Sequence, residues 1–286
     1  MMAFYAVRAV AGIERVVDGA YVRSVRIGGQ AAIIEVRDRP TACELVVTVR
    51  NAPPGSGDEV TRRLRRAYDL DADLVAIAAH LSRDPFLGAL IAARPAVRIP
   101  SHWEPFETAM RAILGQQVTL AAAARLSGRL VERAGPSIAG AEQGGPDRLF
   151  PDANEVLAAD LSNMSMPGAR IRALQAVASA FLAAPDLFER GASIEETVER
   201  LSAIKGIGPW TAQYIALRAC GEPDAFPASD VGLLRGALDA EGLRPSPKAL
   251  EARAEAWRPW RSYAAQHIWA ADAGAVTPRE NKVGAG

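Results

Sequence analysis

The feature that most constrains the fold is a break between two helical patterns, in the stretch LSAIKGIGPWTAQYIALR (Leu201–Arg218). The first pattern ends at Lys205, a Gly-Ile-Gly turn follows, and Pro209 is placed to begin the second helix. Without a Cβ, Gly206 and Gly208 can take positive φ and let another backbone come close. Proline suits the first helical position, because its missing N–H would have had no partner there. The stretch therefore predicts two helices joined by a tight turn.

The start of the second helix also has the chemistry of an anion site. The first amides of a helix have no partner within it, and the helix dipole adds positive charge at that end. Lys205 places a mobile cation beside these amides. The alternative is a tight helix–helix turn that binds nothing, and a bare Gly-x-Gly pattern indicates no more than that.

Composition is that of a soluble globular protein with a substantial core, since the 286 residues are 49% hydrophobic and 23% charged. No apolar run approaches the ~20 residues of a membrane span, and the N-terminal sequence has no secretory pattern. Cys43 and Cys220 are too few for a disulfide framework or a cysteine-ligated cluster. We therefore expect a cytoplasmic protein.

Formal net charge is zero, which argues weakly against a surface coated with basic residues for nucleic acid. A local patch is compatible with it, because phosphate binding depends on where the positive charges lie. The sequence contains two candidate patches: Arg62, Arg63, Arg65 and Arg66, and Arg244, Lys248, Arg253, Arg258 and Arg261. For each set taken alone, a solvated helix face is the simpler interpretation.

The first third of the chain predicts a mixed α and β domain over residues 1–98. Three short segments rich in branched residues alternate and are separated by turn-type residues: Tyr21–Ile27, Ala32–Asp38 and Glu44–Arg50. They predict an antiparallel sheet with one face covered by helices. Helical patterns begin at about Glu59.

The segment 99–275 is predicted to be all helical, so the predicted fold class is α+β. Within it, residues 134–152 read as a Gly/Pro-rich loop. Ser193–Glu196 fits a capping box that opens the helix before the hairpin. Residues 276–286 have little to bury and are predicted to be a disordered tail.

Separate segments along the chain resemble one family. IKGIGPWTA is similar to the helix-hairpin-helix of a DNA glycosylase superfamily, and FPASDVGLLRGAL (Phe226–Leu238) resembles its aspartate-bearing loop. FETAMRAILGQQVT, WRPWRSYAAQHIWA and FYAVRAVAGIERVVDGAYVRSV resemble the bacterial 3-methyladenine DNA glycosylase II branch. The resemblance covers most of the chain. It implies a two-lobed helical core with the active-site cleft between the lobes, preceded by an extra α+β domain.

The resemblance also implies an activity. A monofunctional glycosylase of this branch would flip an alkylated purine, of the 3-methyladenine or 7-methylguanine type, out of duplex DNA and hydrolyse its N-glycosidic bond. Its partner would be damaged double-stranded DNA in base-excision repair, with no membrane, and a monomer is expected. Two alternatives stay open: a glycosylase for deaminated or oxidised bases, and a non-catalytic helix-hairpin-helix DNA-binding protein.

Asp230 has two interpretations. It precedes an apolar helical run, so spacing alone favours a helix N-cap that accepts backbone N–H bonds. The resemblance assigns it to catalysis, where a carboxylate facing C1′ stabilises positive charge on the sugar and can orient or deprotonate the attacking water. The neighbouring Ser229 would then be available as the cap.

In the family that the chain resembles, the residue that follows the hairpin distinguishes monofunctional glycosylases from those that also cleave the DNA strand. In relatives that also nick the strand, a lysine at this place attacks C1′ and forms a Schiff base. Here the place is taken by Trp210, and Lys205 lies on the other side of the turn. No lyase activity is therefore expected. The iron–sulfur cluster of several relatives is not expected either, because it needs four cysteines and this chain has two.

Trp210 and Tyr214 lie four residues apart, so their rings share one helix face. Such a pair is usually part of a core. The resemblance assigns it instead to the pocket that stacks the flipped base, together with Trp269 and Phe4. An electron-deficient alkylated purine should be attracted to these electron-rich rings.

Two further sets of contacts are implied by the resemblance. In ILGQQVT, Gln117 takes the place of an apolar wedge residue that fills the gap left in the DNA stack, and Gln116 would hold that loop. Phosphate contacts at the hairpin would come from Lys205, Gly206, Gly208, Trp210 and Thr211. The only expected cofactor is a structural Na or K ion, held by the backbone carbonyls of Ser202, Ile204 and Ile207.

Overall fold

The computed structural model describes residues 1–238 and 242–276. Contacts divide the chain into two compact units. The first contains Met1–Asp71 and Pro100–Gly221, and the second contains Ala72–Ile99 and the described residues from Glu222 onward. After Val276, the tail that we predict over 276–286 lies outside the described residues.

Helices are the main element after the N-terminal sheet. In chain order they are α1 (Met2–Ala6), α2 (Gly57–Ala67), α3 (Leu74–Leu81), α4 (Pro85–Ala93), α5 (Pro105–Leu114), α6 (Leu120–Ala134), α7 (Ala153–Ala158), α8 (Gly168–Ala183), α9 (Ile194–Ser202), α10 (Pro209–Ile215), α11 (Val231–Gly236), α12 (Pro247–Ala254) and α13 (Arg261–Val276). A π-helical turn, Ala216–Cys220, continues α10. Among the described residues, no helix combines the length and the apolarity of a membrane span.

A four-stranded antiparallel sheet in the first unit confirms the predicted α+β class. Its strands, paired in chain order, are β1 (Glu14–Val17), β2 (Ala20–Ile27), β3 (Gln30–Arg39) and β4 (Glu44–Arg50). The three predicted strands correspond to β2, β3 and β4. Strand β1 was not predicted because its four residues are too short to show alternation. It joins β2 through Asp18-Gly19, where both residues have positive φ, as a tight two-residue hairpin requires.

One face of the sheet packs against α1 and α2. Tyr5 of α1 stacks on Tyr21 of β2, with ring centroids 4.3 Å apart. Leu64 of α2 is buried in the same cluster as Ile34 and Val36 of β3. Burying each large apolar side chain of this kind contributes roughly 1.5–3 kcal/mol. This core therefore fixes α1, and the residues that α1 carries, on the sheet.

A buried charge network joins β1 and β2 to α5. Glu107 of α5 accepts from Arg23 at 2.7 Å and from Arg111 at 2.6 Å. Arg111 also donates to Glu14 of β1 at 2.7 Å. None of the four side chains is more than 9% exposed. The network therefore fastens the sheet to the first long helix of the helical segment.

Helices α3 and α4 belong to the second unit, whereas the sequence analysis groups them with the N-terminal domain. The structural reason is that α4 packs against α13. In addition, Arg253 of α12 forms an ion pair with Asp84, the cap of α4, at 3.0 Å. Partners this distant along the chain leave no periodic signal in the local sequence.

Candidate active site and nucleic-acid interface

The predicted hairpin is present in the first unit. Helix α9 begins after its Ser193 cap, and α10 begins at Pro209, as predicted. Gly206 has φ of 94°, and a Cβ there would lie 2.6 Å from the Cβ of Ala173. Gly208 has φ of −84° and ψ of 173°, so only Gly206 of the two glycines uses positive φ. No described atom lies within 4 Å of the Cβ position of Gly208, so that another backbone can approach there.

The two glycines are expected to respond differently to alanine. Gly206→Ala should lower the free energy of unfolding by about 1–3 kcal/mol, because alanine is strained at positive φ and its methyl would overlap Ala173. Gly208→Ala should leave stability within about 0.5 kcal/mol, because its φ is ordinary and its surroundings are open. The resemblance implies that a DNA backbone approaches this turn, so the added methyl is also expected to weaken duplex binding. Urea denaturation and duplex titration measure the two effects, and a Gly208→Ala variant with full DNA affinity would contradict the close approach.

Gln116 fastens the loop between α5 and α6 to the hairpin. Its side-chain amide donates to Thr211 Oγ1 at 2.9 Å and lies 3.5 Å from the Gly206 carbonyl oxygen. Arg170 of α8 donates to the backbone oxygen of Gln116 at 2.7 Å. The geometry supports the predicted holding role of Gln116. In this contact the Thr211 hydroxyl oxygen is the acceptor, so the bond does not use the O–H donor of Thr211.

Gln117 lies exposed at the tip of the same loop. Its φ of 55° is in the left-handed region, which costs a residue with a Cβ about 1–2 kcal/mol. The apolar residues beside it are also exposed, Val118 at 36% and Leu120 at 51%. A non-glycine residue held in this conformation at an exposed tip is a candidate for a functional role.

Aromatic and cationic side chains form one column in the first unit. Trp210 and Tyr214 stack with ring centroids 5.3 Å apart and an angle of 21° between the rings. The Arg218 guanidinium lies 5.6 Å from the Tyr214 ring and 4.9 Å from the Phe4 ring. Arg8 lies over Phe4 at 4.0 Å. The structure therefore brings together three of the four residues predicted for the base pocket.

The two arginines of this column were not predicted from the sequence. Arg218 follows Trp210 and Tyr214 at the same four-residue spacing, which is a helical signal that could have identified it. Arg8 has no such signal, because it comes from the segment after α1. Burial, together with the nearby Arg218 charge, lowers the pKa of Arg8 to about 10, although Tyr214 acts to raise it.

Asp230 is the N-cap of α11, in the second unit. Its Oδ1 accepts the backbone amides of Gly232 at 2.9 Å and Leu233 at 3.0 Å. The suggestion that Ser229 could take over the capping is therefore wrong, because Asp230 itself makes the cap bonds and Ser229 is exposed. The cap interpretation and the catalytic one describe the same side chain.

Trp269 of α13 binds the same carboxylate. Its indole Nε1 donates to Asp230 Oδ1 at 2.8 Å. Gly232 permits this contact, because a Cβ there would lie 3.0 Å from Asp230 Oδ1 and 3.1 Å from the Trp269 ring. Three donors thus converge on one oxygen and fix the plane of the carboxylate. Trp269 is paired with Asp230 within this unit, whereas the Trp210 column belongs to the first unit.

Comparison with known families identifies the chain. Residues 110–262 match the family model described as HhH-GPD superfamily base excision DNA repair protein. The chain belongs to this superfamily. The N-terminal part of the HhH-GPD chain, residues 1–104, matches the AlkA N-terminal domain.

Individual relatives of this HhH-GPD chain agree with that assignment. DNA-3-methyladenine glycosylase 2 of Escherichia coli is 32% identical over 273 residues, which cover 94% of this chain and 92% of that protein. The probable bifunctional transcriptional activator/DNA repair enzyme AlkA of Mycobacterium tuberculosis is 38% identical over 92% of this chain. The chain spans about half the length of that mycobacterial relative, since the match covers 52% of it. 3-Methyladenine DNA-glycosylase from Archaeoglobus fulgidus has the same fold, with a TM-score of 0.83 at 22% identity, covering 96% of this chain and 94% of that one.

Proposed function

We propose that this HhH-GPD chain is a monofunctional DNA glycosylase that releases alkylated purines from duplex DNA and so initiates base-excision repair. The observation that carries the proposal is the fixed carboxylate of Asp230, whose Oδ1 accepts from Trp269 and from two backbone amides. Positive charge builds up on the sugar as the N-glycosidic bond breaks, while the departing base loses its own. An anion already fixed in place stabilises that charge without reorganising during the reaction.

The remaining side chains have supporting roles in this proposal. The open backbone at Gly208 and the first amides of α10 hold a DNA phosphate, with Lys205 beside them. The flipped base stacks on the rings of Trp210, Tyr214 and Phe4. Gln117 enters the gap in the DNA stack from the tip of its loop. In this assignment Trp269 orients Asp230 and also presents its ring to the base.

The hairpin carbonyls fit the proposed monovalent cation. Carbonyl oxygens are hard ligands of the kind that Na⁺ and K⁺ take. The Ile204 carbonyl accepts the Ile207 amide at 3.0 Å, which uses one of its two lone pairs. Ser202, Ile204 and Ile207 would hold the ion, whose charge would add to the attraction of the hairpin for phosphate.

Two assays test the proposal together: borohydride trapping of a covalent adduct, and incubation with a panel of duplexes that carry different damaged bases. Duplexes carrying 7-methylguanine, hypoxanthine, 8-oxoguanine or uracil are incubated with the protein and analysed before and after alkali. We expect strand breaks at the alkylated base only after alkali, because the enzyme leaves an abasic site intact. Borohydride should trap no covalent adduct, because Trp210 offers no amine to form a Schiff base. A trapped adduct would refute monofunctional hydrolysis, and release of none of these bases would favour a DNA-binding protein without catalysis.

One observation favours a second substrate class. The guanidinium groups of Arg8 and Arg218 already lie over the rings of Phe4 and Tyr214. Their positive charges repel a cationic base and favour an uncharged base with acceptor atoms. A deaminated purine such as hypoxanthine is therefore the second candidate substrate. The rate at which hypoxanthine is released, compared with that of 7-methylguanine, shows which of the two is the preferred substrate.

A further inference from the structure

Five of the nine cations in the two basic patches of the sequence form ion pairs with carboxylates. In the first patch, Arg63 pairs with Glu59 at 2.8 Å, Arg65 pairs with Asp71, and Arg66 donates to the Trp103 carbonyl at 2.7 Å. In the second, Arg253 pairs with Asp84, and both Arg258 and Arg261 pair with Asp224. Charges compensated in this way attract phosphate weakly. The positive surface of the first unit lies elsewhere.

Five cations surround the start of α8, and we call them the α8 basic surface: Arg125, Arg129, Arg170, Arg172 and Lys205. Arg170 is partly buried and the other four are exposed. Within the described part of the chain, none of the five forms an ion pair with a carboxylate. The surface therefore keeps its full positive charge.

Contacts place α6, the Gln117 loop and the hairpin around the start of α8, and Arg125 shares the α6 face of Arg129 through its four-residue spacing. Arg129 of α6 donates to the Met164 carbonyl, just before α8, at 3.3 Å. Arg170 reaches the Gln116 carbonyl in the loop that carries Gln117. Ala173 packs against Gly206 of the hairpin. The first turns of α8 thus lie between α6, the Gln117 loop and the hairpin.

The N-terminus of α8 adds positive charge to the α8 basic surface. The 16-residue helix begins after Pro167 without a side-chain cap and without an acidic residue in its first turn. The nearest acidic group along the chain, Asp160, accepts the Ser162 amide at 2.9 Å. Arg133, also on α6, lies near Asp160 and donates to its backbone carbonyl at 3.3 Å.

We propose that the α8 basic surface binds phosphates of the DNA backbone in addition to the phosphate held by the hairpin. The proposal rests on the proposed action of this chain on duplex DNA. The partner is a phosphodiester chain, because the surface continues directly from the two elements that the proposed function places on DNA. Arg170 and Lys205 also serve the loop and the hairpin, so Arg125 and Arg172 are the residues that test the surface alone.

The test compares two double variants of the full chain. Arg125→Gln/Arg172→Gln removes two charges from the surface, and Arg39→Gln/Arg62→Gln removes two exposed charges elsewhere in the first unit. Binding is measured by fluorescence anisotropy with a duplex that carries a tetrahydrofuran abasic analogue, at several salt concentrations. Each phosphate contact contributes roughly 0.9 to the slope of log affinity against log salt. We expect the first variant to lose about two units of slope and roughly tenfold in affinity at low salt, and the control to match the wild type.

The outcomes separate this surface from the catalytic proposal. Equal slopes for the two double variants would overturn the surface, whatever the activity. A reduced slope in a protein that releases no base would support the surface and refute the glycosylase assignment. Release of 7-methylguanine by the wild type, measured in parallel, tests the catalytic proposal separately. Equal melting temperatures confirm that both variants are folded.

Discussion

Asp230→Asn should reduce the release of 7-methylguanine by roughly a thousandfold or more, while duplex binding changes less than about threefold. In the proposed function this carboxylate stabilises the positive sugar, and removing a preorganised electrostatic contact of this type costs about 10²–10³ in rate. The loss of a possible role in activating water adds to that cost. Single-turnover kinetics and titration with an abasic-analogue duplex measure the two quantities.

Asparagine is a selective substitution at this position. Its side-chain oxygen can still accept the amides of Gly232 and Leu233, and asparagine is as good a helix cap as aspartate. The indole of Trp269 also keeps its acceptor. The variant therefore removes the charge and retains the local structure, so that a loss of activity reports on the charge.

Asp73 provides a matched control. It caps α3 in the same unit and accepts from Val75 and Ala76 at 3.1 and 3.0 Å, the same cap pattern as at Asp230. Asp73→Asn should leave both rate and binding unchanged. Unchanged release of 7-methylguanine by Asp230→Asn would contradict the catalytic role of the carboxylate. A loss of release in both Asp230→Asn and Asp73→Asn would indicate general damage to the second unit.

Glu107→Ala should lower the free energy of unfolding by about 3–5 kcal/mol. The substitution removes one of the two buried carboxylates that face Arg23 and Arg111 and leaves both guanidinium groups with Glu14 alone. Removing one partner from a buried ion pair carries a penalty of this size. Urea denaturation at pH 7 measures the change. The control is Glu35→Ala, which breaks the partly exposed ion pair with Arg37 and should cost about 0–1 kcal/mol. Similar losses in the two variants would contradict the stabilising role of the buried network.

The loss of stability caused by Glu107→Ala should depend on pH in a defined direction. Burial acts to raise the pKa of Glu107, but Arg23 and Arg111 outweigh it and hold the pKa below its ordinary value. A carboxyl group with a lowered pKa in the folded state contributes stability above its unfolded pKa of about 4.3. The difference in free energy of unfolding between the wild type and Glu107→Ala should therefore be largest at pH 7. It should become smaller as the pH falls below about 4.

Local signals in the sequence were sufficient for several parts of this molecule. The Gly-Ile-Gly turn with Pro209 predicted the hairpin, since glycine freedom and proline geometry act over a few residues. The alternation of β2, β3 and β4 predicted the sheet. Asp230 was identified by its place before an apolar helix together with its resemblance to the family loop.

Features built by long-range contacts were not predictable in the same way. The Glu14–Arg111 and Arg23–Glu107 pairs join residues far apart in the chain, and charged residues usually indicate a solvated surface. Arg8 joins the Trp210 column only because the core of the sheet places α1 beside it. The pairing of Arg253, Arg258 and Arg261 is not visible locally for the same reason, because Asp84 and Asp224 are distant in the chain. The Arg63–Glu59 pair is different, because its four-residue spacing within α2 can be read from the sequence.

The hydrogen bond from Gln116 to Thr211 has a consequence for how DNA is surveyed. It connects the Gln117 loop to the hairpin, although the two residues are 95 positions apart in the chain. In the proposed function, the protein and not the DNA therefore sets the distance between the bound phosphate and the base step that Gln117 enters. The phosphate that the hairpin binds would then determine which nucleotide is tested for damage.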